Sequence, residues 1–144
     1  GLVRQYLSRL SGPLLDRIDI HMEVAPVPFN HLTREHGAEE SRILRERVIV
    51  AREIQKARFT GIKGVVHNAG MGTAQRHKHC RLNPAGQALI KLATEKLGLS
   101  VRAYDRILKL ARTIADLEES QKIHPSHVAE AVSYRNLDRE GWSG

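Results

Sequence analysis

Arg102 stands where chemistry is most readily placed in this chain. It falls in the first turn of an expected helix within Leu97–Leu117, LGLSVRAYDRILKLARTIADL. A helix start carries free backbone N–H groups and a partial positive charge, so an arginine there opposes the dipole unless an anion sits between them. Two readings follow. Arg102 is either an exposed arginine tolerated at a helix start, or a guanidinium that together with the helix terminus faces a bound phosphate.

Three other groupings can carry chemistry. Ser11–His21, SGPLLDRIDIH, places Asp16-Arg17 after a Gly12-Pro13 turn; an adjacent pair of that kind is by itself a surface ion pair of small worth. Arg45, Arg52 and Lys56 share one face of a helix expected over 40–58 and can meet nucleic-acid phosphates, although Glu46 and Glu53 make a solvated, ion-paired face the plainer reading. His67 and the run Arg76-His77-Lys78-His79-Cys80 offer nitrogen and sulfur donors. Their spacing matches no structural zinc pattern, so they read as a basic loop with an inward cysteine, and no metal ligand is assigned.

The elements that must position these residues follow from periodicity and punctuation. Tyr104, Ile107, Leu108, Ala111, Ile114 and Ala115 form one helical stripe. Gly98 suits the left-handed stop of the preceding helix, and Ser100 suits the cap of this one. Ile43, Leu44, Val48, Ala51, Ile54 and Ala57 give 40–58 its apolar positions. Gly61, Gly64, Gly70 and Gly72 argue for irregular chain over 60–82, with at most a short turn near 73–79. Asn83-Pro84 opens a helix whose stripe is Leu89, Leu92, Ala93 and Leu97. Pro125 opens the last, with Val128, Ala131 and Val132, ending near Tyr134. These add up to a mainly α bundle of about four helices.

Upstream, residues 2–10 have the spacing of a helix end, and 18–25 alternate like a strand. Such a strand has no sheet partners in this chain, so residues 1–35 are expected to be loosely ordered or to pack opportunistically. The expected division is 1–35, then a helical domain over 36–139, then a tail over 140–144 that includes Trp142.

The 144 residues suffice for one domain with a buried core. A net charge of +7 permits contact with a polyanion, whereas 4% aromatic content argues against base stacking as the main mode. The single Cys80 excludes an internal disulfide and fits a reducing cytoplasm. No apolar run approaches the length of a membrane span.

The order SGPLLDRIDIH, then ES-x-x-x-RERV-x-x-AREIQ, then LGLS-x-RAYDRIL-x-x-ARTIADLE resembles the C-terminal part of magnesium-chelatase-like AAA+ ATPases of the ComM/YifB group. The likeness runs from about Tyr6 to Arg139. It implies that the bundle is an AAA+ lid and that residues 1–35 are a remnant of the ATPase core. It also implies that Arg17 is an arginine finger reaching a neighbouring subunit's nucleotide, and that Arg102 is sensor 2, touching nucleotide phosphates. A guanidinium suits both tasks, since it stays charged and grips phosphoryl oxygens with two prongs. ATP and magnesium are the cofactors implied for the full-length protein, in a homo-oligomeric ring expected to be hexameric. The group's activity would be branch migration on DNA, a helicase-like motor of competence and natural transformation. The rival activities are magnesium insertion into a porphyrin and a non-catalytic DNA-binding helical module. One departure is His124, where the group commonly has Ser or Thr as a helix cap. No G-x-x-x-x-G-K-[ST] phosphate loop and no strand ending in Asp-Glu occurs, so the chain is expected to be a fragment without ATPase activity of its own.

Overall fold

A computed structural model describes Leu14, residues 17–22, Val24, Pro26 and residues 39–135 of the chain. The expected helix end at 2–10, Asp16, the closing residues after Arg135 and Trp142 lie outside them. Five α-helices run through the described part: α1 (Ser41–Arg58), α2 (Thr73–His79), α3 (Pro84–Leu97), α4 (Val101–Leu117) and α5 (Pro125–Ser133), with a 3-10 turn at Asn68–Gly70. The segment 73–79 is thus a seven-residue helix rather than a bare turn. Gln75 supports its start, because its side-chain oxygen accepts from the Gly72 N–H at 3.1 Å.

Capping chemistry sets the boundaries on either side of Arg102. The Asn83 side chain accepts from the Gly86 N–H at 2.8 Å and Pro84 occupies the first helical position, which begins α3. Gly98 ends it at φ 59°, a left-handed conformation that a Cβ would strain. Ser100 Oγ then accepts from the Ala103 N–H at 3.1 Å and starts α4. At α5 the missing Ser or Thr cap is replaced from inside the helix. The His124 N–H donates to His127 Nδ1 at 3.0 Å, so the ring proton of His127 sits on Nε2 and is donated to Glu118 at 2.9 Å.

Helix α4 is the centre of the bundle. It packs against α5, α1, the 3-10 turn and α2, while α3 packs on α5. Its expected stripe is the core: Ile107, Leu108, Ala111, Ile114 and Ala115 are buried with Ile90 of α3 and Val128 and Ala131 of α5. Burying a side chain such as Ile107 or Val128 contributes roughly 1.5–3 kcal/mol. Phe59, Met71, Cys80 and Ile123 close the core from the loops.

Two stripes differ from expectation. On α1 only Ala51 and Gln55 are buried; Ile43, Leu44 and Val48 are exposed, because only the C-terminal half of this helix meets α4. On α3, Leu92 is exposed and Ile90 takes its place inward.

The described residues of the expected strand 18–25 form no strand. Instead they lie against the bundle's far end: the His21 N–H donates to the Tyr134 carbonyl at 2.7 Å, and Arg135 donates to the Ile18 carbonyl. His21 is buried. Without sheet neighbours, the Ile18 carbonyl and the His21 N–H of this stretch are met by Arg135 and Tyr134, just past the end of α5.

Candidate functional site

Arg102, Arg106 and Lys109 follow one another at spacings of four and three along α4, so helical geometry puts all three on one face. They line a cleft of about 260 Å³ together with Asp19, Asp105 and Thr113. The opposite face of the same helix is the core stripe, so burial of Ile107 and Leu108 fixes where the cations point.

The charges in this cleft are not equally free. Arg106 is paired with Asp19 of the N-terminal segment. Asp105 is held by Arg76 of α2 at 3.1 Å. Lys109 Nζ donates to the Ala69 carbonyl at 3.1 Å. Arg102 is exposed and has no hydrogen bond or ion pair to any described residue. It therefore presents an unengaged guanidinium beside the amino end of α4, flanked by two further cations. A guanidinium can grip phosphoryl oxygens by charge-assisted, two-pronged hydrogen bonds.

Arg17 lies elsewhere. It is exposed in a turn whose backbone N–H donates to the Leu14 carbonyl at 3.0 Å, and it does not line the Arg102 cleft. Asp19 does, so the segment carrying Arg17 is docked beside α4 while Arg17 itself faces solvent. Arg45, Arg52 and Lys56 are exposed along α1 and join neither arginine; Lys56 pairs with Glu53 at 3.6 Å. Cys80 is buried among the core residues, and among the described residues no group of three or more His, Cys, Asp or Glu can hold a metal ion.

Sequence reasoning missed a polar centre behind the cleft. Arg58, Arg112 and Asn68 all converge on the carboxylate of Asp116, which is 0% exposed. Asn68 also receives a hydrogen bond from Arg58 at 2.8 Å, and its backbone N–H donates to Gln55 Oε1 at 3.2 Å. The network ties α1, the 3-10 turn and α4 into one body. The spacing of Arg112 and Asp116, four apart inside an apolar stripe, was the available signal.

Residues 38–135 match the family model described as magnesium chelatase, subunit ChlI C-terminal, and residues 2–32 match that of magnesium chelatase, subunit ChlI. The chain is 45% identical over 139 residues to Competence protein ComM of Haemophilus influenzae, covering 95% of this chain. It is 40% identical over 137 residues, 94% of this chain, to the uncharacterized protein YifB of Salmonella typhimurium, and 39% over 136 residues, again 94% of this chain, to YifB of Escherichia coli. It spans 26% of the length of each of these relatives. With the helical domain matched over nearly its whole length, the chain belongs to the magnesium chelatase subunit ChlI C-terminal family.

Proposed function

We propose that this domain is the lid of a ring-forming AAA+ ATPase that moves DNA, with Arg102 contacting nucleotide phosphates and Arg17 acting on the nucleotide of a neighbouring subunit. The observation that carries the reading is the cleft on α4, where an unengaged Arg102 stands with Arg106 and Lys109. Arg102 and Lys109 are the residues here that would hold the phosphate chain of ATP. The exposed position of Arg17 suits a group that must cross to another subunit. The carboxylates at this cleft, Asp19 and Asp105, are each held by an arginine, so they do not fit the magnesium that accompanies ATP. The similarity to a protein named for competence favours DNA as the substrate over a porphyrin.

The test is made on the full-length ATPase. Arg102→Ala should weaken ATP binding and lower turnover, and Arg102→Lys should restore part of both. Thermal unfolding of the isolated domain should be unchanged, since Arg102 holds no partner among the described residues. Unaltered nucleotide affinity in Arg102→Ala, or a loss of stability matching the loss of activity, would return Arg102 to a surface arginine.

A further inference from the structure

A second basic cleft lies away from Arg102, and of its lining only Lys78 and His79 belong to a grouping noted in the sequence. It forms where the chain enters α3 and α5. Leu82 and Ile123 pair as an isolated parallel bridge, each just upstream of a helix, so the amino ends of α3 and α5 come to lie side by side. Their capping residues, Asn83 and His124, both line the cleft, whose volume is about 640 Å³. Two helix dipoles thus present their positive ends to one space.

The side chains around that space have the same sign. Lys78, Arg81 and Lys122 line it, all three are exposed, and none has an ion pair or side-chain hydrogen bond to a described residue. Arg58 and Arg112 form the floor, already engaged by Asp116 from behind. No carboxylate is among the lining residues. His79, on the wall, registers the field: its pKa is lowered first by burial and then by Arg58, Lys78 and Arg112. Three cations from two stretches of chain, residues 78–81 and Lys122, thus face one space with no described carboxylate between them. A surface of this kind is completed by an anion that can touch several cations at once.

We propose that this cleft binds the phosphodiester backbone of a DNA strand through Lys78, Arg81 and Lys122. A strand with regularly spaced phosphates can meet the 78–81 stretch and Lys122 across a cleft of this size at once, and the scarcity of aromatic residues leaves phosphate contact as the main available mode. The choice of DNA as partner rests on the motor reading above; the cleft and its charge do not.

The experiment is a salt titration of the 144-residue chain with a fluorescent oligodeoxynucleotide, followed by polarisation. The variant Lys78→Ala/Arg81→Ala/Lys122→Ala keeps every described hydrogen bond, and circular dichroism checks its fold. Its affinity should fall at least tenfold at low salt. The slope of log K against log salt should become shallower by about 2–3, near one for each phosphate no longer neutralised. The comparison variant Arg45→Ala/Arg52→Ala/Lys56→Ala should lose much less. Loss of affinity in that comparison variant alone would overturn the cleft while leaving DNA binding intact. Tripolyphosphate displacing the oligonucleotide at equal phosphate concentration would show a small-anion site and overturn the DNA assignment. A wild-type chain that binds no oligonucleotide at low salt would overturn the site outright.

Discussion

Arg58, the last residue of α1, and Asp116, in the last turn of α4, form a two-pronged ion pair with nitrogen–oxygen distances of 2.5 and 2.6 Å. Asp116 is fully buried and takes further hydrogen bonds from Asn68 and Arg112. This one carboxylate holds two guanidiniums in the interior, so its removal leaves buried cations unpaired.

Asp116→Ala should therefore cost about 3–5 kcal/mol of stability, as expected when one partner of a buried charge network is lost. The exposed pair Lys56–Glu53 offers the contrast, and Glu53→Ala should change stability by less than about 1 kcal/mol. Urea unfolding of both variants measures the difference. Equal small effects would mean that the Asp116 network is solvated in solution.

His79 should make the domain sensitive to mild acid. Its folded pKa lies below the ordinary value of 6.5, because burial and nearby Arg58, Lys78 and Arg112 all disfavour the charged ring. Its Nε2 is buried with no hydrogen-bond partner among the described residues, and the ring meets Phe59 edge-on at 5.8 Å. The unfolded chain then binds a proton that the folded one refuses. Stability is full above about 6.5 and falls as pH drops through the lowered folded value. His79→Gln should flatten that part of the pH profile, measured by thermal unfolding between neutral and mildly acidic buffers.

Cys80 should be inert in the folded domain. Burial pushes its thiol up to about 11, despite the opposing influence of Arg112, Arg58 and Arg76. Little thiolate exists at neutral pH, and the sulfur is covered by core side chains. Iodoacetamide should label it slowly in native buffer and rapidly in urea, followed by mass spectrometry. Fast native labelling would indicate opening of the loop that carries it.

On the proposed finger role, Arg17→Ala in the full-length protein should leave nucleotide affinity nearly intact and reduce turnover sharply, by roughly 10³–10⁵ as for arginine fingers supplied across an interface. Mixing Arg17→Ala subunits with subunits defective in their own nucleotide site should recover part of the activity. Failure of such mixtures to recover any turnover would remove Arg17 from an action in trans.

Much of the fold was legible in the sequence because its signals are local. Asn83-Pro84, Gly98 and Ser100 carry their capping chemistry within a turn of the chain, and the Tyr104–Ala115 stripe needs only a period of 3.6 residues. The place of Arg102 in the first turn of α4 was legible for the same reason, since it follows from the Ser100 cap and the stripe beyond it. What tertiary structure alone decided is non-local. Whether Ile43 and Val48 are buried depends on how far α4 runs alongside α1, which no periodicity within α1 contains. Arg58 and Asn68 meet Asp116 across 58 and 48 positions of sequence, and Leu82 meets Ile123 only because α3, α4 and α5 fold back on one another. Periodicity tells which face of a helix is apolar; only packing decides what that face meets and which charges are brought together behind it.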